Sequence, residues 1–182
     1  MSINDVILVT ENDEAIGVME KMEAHRQGVL HRAFSVFLFD QEGRMLLQQR
    51  SAHKYHGALL WSNTCCSQPC PGEAVEAAAE RRLQEELGFT APLEKIFTFT
   101  YKAAVENGLT EHEFDHVFAG VYTGPVQPNP AEVADYAYQP MELIHEQVNN
   151  HPDSFTSWFR IAFPLVEKWW QQQAGERAKK IV

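Results

Sequence analysis

Trp61-Ser62-Asn63-Thr64-Cys65-Cys66-Ser67-Gln68-Pro69-Cys70-Pro71-Gly72-Glu73 leads into a run that ends Arg81-Arg82-Leu83-Gln84-Glu85-Glu86-Leu87-Gly88-Phe89. Val75, Ala79, Leu83 and Leu87 recur at i, i+4, which predicts a helix with one apolar stripe. Pro71-Gly72-Glu73 is read as the helix start, with an acid in the first turn. Gly88 is read as a left-handed cap that stops it. Arg81 and Arg82 lie four residues before Glu85 and Glu86, so each base can pair with or orient an acid. A cysteine-bearing turn feeding a helix that ends in a glutamate pair is an arrangement able to hold a hydrated divalent cation.

The rest of the chain alternates between strand and helix signals. Val6 to Thr10 and Ile16 to Met19 read as short strands, and Glu20 to Ala24 as a helical turn before Gly28. Leu30 to Phe39 is a strand with His31, Ala33, Ser35, Phe37 and Phe39 on one face. Asp40-Gln41-Glu42-Gly43 turns it into a second strand, Arg44 to Arg50, followed by a polar loop from Ser51 to Leu60. Leu93 to Ala104 and Leu109 to Tyr122 are strands joined through Asn107-Gly108. Tyr136 to Tyr138 is a short strand. Pro140 to Asn149 and Phe155 to Gln173 are helices, the second interrupted by Pro164. Strands flanked by helices predict an α/β fold, a mixed sheet sandwiched between helices, in one domain over residues 1–182.

Composition narrows the function. Fifteen basic against 25 acidic residues give a net charge of −10, which argues against non-specific nucleic-acid or acidic-membrane binding. A local basic cluster or a metal still leaves room for a small anionic substrate. Three cysteines crowded between 65 and 70 do not read as a disulfide framework, and they suggest a reducing compartment. No secretory signal is apparent, and no apolar run approaches the ~20 residues of a membrane span. A soluble cytoplasmic protein, a monomer or weak dimer, is expected.

Some residues invite chemistry on their own. Glu111, Glu113 and Asp115 share a strand face that continues as Val117, Ala119 and Val121. Carboxylates at the end of a buried face need a cation or a partner, unless this end is simply solvated. With His25 and His31 they form a nitrogen-and-oxygen donor set. Cys66 reads either as a small buried hydrophobe or as a thiol whose ionisation a helix start and a metal would help. A zinc knuckle is disfavoured, because Cys65-Cys66 and Cys70 do not make a Cys-x2-Cys pair and no second pair exists.

The stretch from Ser67 to Phe89 resembles the Nudix box, Gly-x5-Glu-x7-Arg-Glu-U-x-Glu-Glu-x-Gly-U, where U is bulky and apolar. It falls on Ser67, Glu73, Arg81, Arg82, Leu83, Glu85, Glu86, Gly88 and Phe89, with Ser67 in place of the first Gly and Arg82 in place of a Glu. A degenerate box after Asn63-Thr64-Cys65-Cys66-Ser67 is similar to that of the type 1 isopentenyl-diphosphate delta-isomerases, and the likeness runs over nearly the whole chain. The resemblance implies interconversion of an allylic and a homoallylic diphosphate by a 1,3 proton shift through a tertiary carbocation. It implies Cys66 and Glu113 as proton-transfer groups with Tyr101 beside Glu113, and Trp158 facing the cation. It implies diphosphate binding by Lys21, Arg50, Lys54 and Ser67. It also implies one divalent metal (Mn2+, Mg2+ or Zn2+) on His25, His31, Glu111, Glu113 and the residue at position 68, and a diphosphate-bound Mg2+ on Glu86 and the backbone of Cys66. Position 68 departs from the family, with Gln68 where a histidine is usual. The competing readings are a Nudix hydrolase, which lacks a needed glutamate at Arg82, and a binding domain that lost its metal through Gln68.

Overall fold

The computed structural model describes residues 4–179, with side chains through residue 173. Strands β1 (Asp5–Val9) and β2 (Ala15–Glu20) form an antiparallel hairpin that runs directly into α1 (Lys21–Gln27). The Glu20 carboxylate caps that helix by accepting from Glu23 N, and Gly28 closes it at φ 61°. The helix is longer than the turn expected over Glu20 to Ala24, and the extra residues bring His25 inside it.

The hairpin of β3 (His31–Phe39) and β4 (Met45–Arg50) turns on Asp40, whose carboxylate accepts from Glu42 N, Arg44 N and Arg44 Nε. The two strands pair only at Phe39 and Met45 and then diverge. Along its whole length β3 pairs in parallel with β8 (Thr110–Val121). Its other edge is therefore shared among β1 at His31, β6 (Cys65–Ser67) over residues 34–36, and β4 at Phe39. On the far side of β8 lies β7 (Glu94–Ala104), while β4 also pairs with β5 (Trp61–Ser62) and β9 (Val133–Gln139). Two of these strands fall in a stretch whose residues read only as a turn. Two- and three-residue strands are too short to show an alternation, so β5 and β6 exist because neighbours offer them a ladder. For the same reason β9 is longer than the expected Tyr136 to Tyr138.

A central parallel pair is buried on both faces, and β3 and β8 sort their side chains by alternation. Phe37, Phe39, Val117 and Ala119 pack with Trp158, Phe159, Phe163 and Val166 of α4 (Ser157–Lys179), beside α3 (Met141–Asn150). Phe34, Val36, Leu38 and Phe118 pack against Ala79, Leu83 and Leu87 of α2 (Val75–Leu87). The expected sandwich of a mixed sheet between helices is thus what forms. Leu83 and Leu87 are fully enclosed; truncating either to Ala would cost about 2–5 kcal/mol.

Two local expectations are corrected. Helix α2 begins at Val75, with Ala74 extended before it, so Pro71-Gly72-Glu73 is a turn ahead of the helix. The Glu73 carboxylate receives Cys70 N at 2.9 Å and Arg81 Nε at 2.7 Å. Helix α4 runs through Pro164 without a break. Phe159, Ala162, Phe163 and Val166 bury one face on either side of it, and exposed Pro164 sits on the other. That burial outweighs the one hydrogen bond a proline cannot donate. At the end of α2, Gly88 adopts φ 77° and its N–H reaches Gln84 O, as the left-handed cap required.

Candidate metal centre and active-site cavity

His25, His31, Glu111 and Glu113 converge: one ligand atom from each lies within 4.8 Å of all the others, and all four side chains are buried. The sheet register explains the convergence, since His31 sits directly beside Glu113 in the parallel β3–β8 pair. Helix α1 then delivers His25 to Glu111, with Nε2 3.1 Å from Oε2. Each imidazole is oriented through its other nitrogen. His25 Nδ1 meets Lys21 O at 2.6 Å, and His31 Nδ1 meets Val29 O at 2.9 Å. A carbonyl only accepts, so each Nδ1 carries a proton and each Nε2 is the atom turned toward the carboxylates. His25 Nε2, His31 Nε2 and Glu111 Oε2 are buried without a hydrogen-bond partner. Buried polar atoms that converge without partners call for a cation. The cluster is therefore a divalent-metal site, and its donor set of imidazoles and carboxylates suits such an ion.

Glu113 is the junction between this cluster and an adjoining cavity. Tyr101 donates its hydroxyl to Glu113 Oε2 at 2.6 Å from the neighbouring strand, where the two residues are in register. Gln68 Nε2 lies 2.6 Å from Glu113 Oε1. An ionised carboxylate can only accept, so Gln68 turns its amino group, not its carbonyl oxygen, toward the cluster. Burial, together with the charge on Glu113, pushes the Tyr101 hydroxyl well above its usual range, so it stays a donor. One step along the same face, Asp115 is buried, and its Oδ2 accepts from Ser35 Oγ at 2.7 Å. Burial and then the Glu113 charge raise its carboxyl well above normal.

The cavity has a small inner chamber of about 60 Å³ joined to an outer one of about 430 Å³. Cys66, Tyr101, Trp158, Glu111, Glu113 and Gln68 line the inner chamber together with Lys21, Arg50, Lys54 and Ser67. Lys21, Lys54, Ser67 and Gln68, with Arg82, line both chambers, and Arg81 joins them in the outer one. Of the residues singled out from the sequence, His25, His31 and Glu86 are not on the inner chamber's wall. The two histidines stand behind the carboxylates. Glu86 is buried at the end of α2, held by Arg82 Nη2 at 2.5 Å and Gln48 Nε2 at 2.8 Å.

Cys66 and Glu113 enter the chamber from the two strands that flank β3, β6 on one edge and β8 on the other. Burial pushes the Cys66 thiol up to about 12; Arg50 opposes the shift while Glu86, Glu113 and Asp115 add to it. It is therefore protonated at neutral pH. No helix start lies beside it, because α2 begins at Val75, so the ionising influence expected from a helix terminus is missing. Burial lowers the Lys21 ammonium, but Tyr55, Glu111 and Glu113 raise it by more, which keeps it a cation. The Arg50 guanidinium lies 5.0 Å from the Trp158 ring and donates to the carbonyls of His56 and Gly57. Trp158 Nε1 donates to Ser62 Oγ at 3.0 Å, which fixes the indole plane.

Reading the sequence missed three participants. Tyr55 lies under the Lys21 ammonium at 5.5 Å. Glu132 pairs with both Lys54 and Arg82. Gln48 holds Glu86. None belongs to a spacing pattern, and each is recruited from an element distant in sequence.

This sheet with its α2 helix and acid-bearing box defines a Nudix fold, and the NUDIX domain family matches residues 29–159. A solved structure of DR0079 from Deinococcus radiodurans superposes with a TM-score of 0.68 at 20% identity, covering 81% of this chain and 90% of that one. The isopentenyl-diphosphate delta-isomerase of Pectobacterium atrosepticum is 46% identical over 98% of this chain and 100% of its own length. An isopentenyl-diphosphate delta-isomerase 1 of Aromatoleum aromaticum is 50% identical over 90% of this chain and 92% of its own. The chain belongs to the type 1 isopentenyl-diphosphate delta-isomerases of the Nudix superfamily.

Proposed function

We infer that the chain, acting as one domain, interconverts isopentenyl and dimethylallyl diphosphate by adding a proton to the terminal methylene and removing one from the CH2 that lies between the branched carbon and the CH2 carrying the diphosphate. The observation that carries this reading is the pair of acid–base groups, Cys66 and Glu113, entering one small chamber from opposite edges of β3. A flat five-carbon unit between them can gain a proton on one side and lose one on the other. A protonated Cys66 has a proton to give, and the thiolate left behind can take one back. Glu113, bracketed by Tyr101 and Gln68, is the partner on the far side. The tertiary cation formed between the two steps needs shielding from water and a π face, which buried Trp158 offers.

Lys21, Arg50, Lys54 and Ser67 are the proposed diphosphate ligands, and their distribution over both chambers matches a substrate with a small head and a strongly anionic tail. His25, His31, Glu111 and Glu113 would hold the inner metal, which is Mn2+, Mg2+ or Zn2+. Bound there, it would balance the charge of two buried carboxylates. Gln68 can join it only by turning its carbonyl inward. Mg2+ travelling with the diphosphate would take Glu86 and the backbone beside Cys66, and Glu86 would then exchange its pairing with Arg82. Cytoplasmic residence fits the three free cysteines. No helix among the described residues is long and apolar enough to cross a membrane.

The test is turnover of purified protein with Mg2+ and Mn2+. Isopentenyl diphosphate incubated in D2O should yield dimethylallyl diphosphate carrying deuterium, with no release of phosphate. Phosphate release without isomerisation would instead establish a hydrolase.

A further inference from the structure

The loop between β4 and β5 brings a third imidazole to the metal site. His56 is 4% exposed, and its Nε2 lies 2.7 Å from Glu111 Oε1, the carboxylate oxygen that does not face His25. Among the described residues neither ring nitrogen of His56 makes a well-aligned hydrogen bond, so the Glu111 contact is a close approach of the two groups. A buried imidazole with nothing else to bond needs a reason for its place. The ring is held firmly, edge-on to Tyr55 at 4.6 Å and to Trp158 at 5.6 Å. The loop beneath it is tied to Arg50, which donates to His56 O at 2.9 Å and to Gly57 O at 3.1 Å. Gly57, at φ 57°, also donates its N–H to Glu106.

We propose that His56 is a positioning residue of the metal centre: it holds Glu111 Oε1, so that Oε2 stays aimed at the cation shared with His25. The proposal rests on reading the His25, His31, Glu111, Glu113 cluster as a divalent-metal site. His56 is assigned to holding and not to ligating because it lies outside the four donors that sit within 4.8 Å of one another. One nitrogen-bearing side chain then stands against one oxygen of each carboxylate ligand, His56 on Glu111 and Gln68 on Glu113. This arrangement gives the cluster rigidity in a chain whose position 68 does not carry an imidazole. It also links the metal centre to the diphosphate side, since Arg50 anchors the loop that carries His56.

The experiment compares the native protein with His56→Ala and His56→Gln, each stripped of metal and titrated with Mn2+ by calorimetry. Chemical denaturation serves as a check on folding. His56→Ala should lose 10- to 100-fold in Mn2+ affinity with unchanged stoichiometry, the usual effect of removing a group that orients a ligand. His56→Gln should recover most of it, because the amide can donate to Glu111 Oε1. Should His56→Ala fail to fold, Co2+ spectra of the native and His56→Gln proteins decide: matching ligand-field bands support the proposal, and loss of a nitrogen donor overturns it. Equal Mn2+ affinity in His56→Ala and the native protein also overturns it and leaves the metal centre intact. No Mn2+ uptake by the native protein would refute the metal-centre reading itself.

Discussion

Tyr101→Phe removes one oxygen atom and leaves the ring that packs beside it. The lost hydroxyl donates to Glu113 Oε2 at 2.6 Å, in a site where Tyr101 is 6% and Glu113 7% exposed. A hydrogen bond to a charged group contributes about 1.5–3 kcal/mol. Gln68 still serves the other oxygen, and the ring keeps its stacking on Phe99 at 5.6 Å. The expected loss of stability is therefore about 2 kcal/mol, or roughly 4–8 °C in Tm for a domain of this size. Turnover should fall much further, by about 10²-fold, the lower end of what an acid–base group contributes, because Glu113 loses the donor that sets its orientation and proton exchange. The assay pairs thermal denaturation with the rate of deuterium incorporation at saturating substrate. Phe99→Leu is the control: it thins the same packing without touching Glu113, so it should lower Tm while leaving kcat nearly intact. If Tyr101→Phe keeps near-native kcat, or if Phe99→Leu loses as much turnover, the assignment of Tyr101 to Glu113 is wrong.

Cys66→Ala should abolish isomerisation and leave stability within about 1 kcal/mol of native, since the substitution removes a single sulfur atom at the chamber wall; retained turnover would remove Cys66 from the mechanism. Glu86→Gln should raise KM in a way that added Mg2+ partly reverses, measured as KM against Mg2+ concentration. A KM indifferent to both would leave Glu86 as no more than a partner of Arg82 and Gln48. Gln68→His should hold Zn2+ against a chelator longer than the native protein does, because an imidazole replaces an amide that now serves Glu113 as a donor. Equal retention in competition with EDTA would show that position 68 does not reach the ion.

Several features were legible because they depend on local periodicity and backbone chemistry. The stripe Val75, Ala79, Leu83, Leu87 and the cap at Gly88 specify α2 wherever it sits, and alternation along β3 and β8 assigns each side chain to a face. The carboxylate row Glu111, Glu113, Asp115 was visible for the same reason, although an even period cannot say whether that strand end is solvated or enclosed. Boundaries set by longer-range contacts were not legible: β5, β6 and the full length of β9 exist because partner strands lie next to them.

The chemistry divides along the same line. The residues themselves determined which groups could bind a metal, move a proton or attract a diphosphate, because those capacities belong to side-chain types and need no fold. Only the tertiary structure decided that His31 would stand in register with Glu113, that α1 would turn His25 Nε2 onto Glu111, and that Gln68 would present its amino group. It alone drew Tyr55, Gln48 and Glu132 into the site. Distances of about 3 Å between residues tens of positions apart are set by how sheets and helices pack, and no spacing along the chain encodes them.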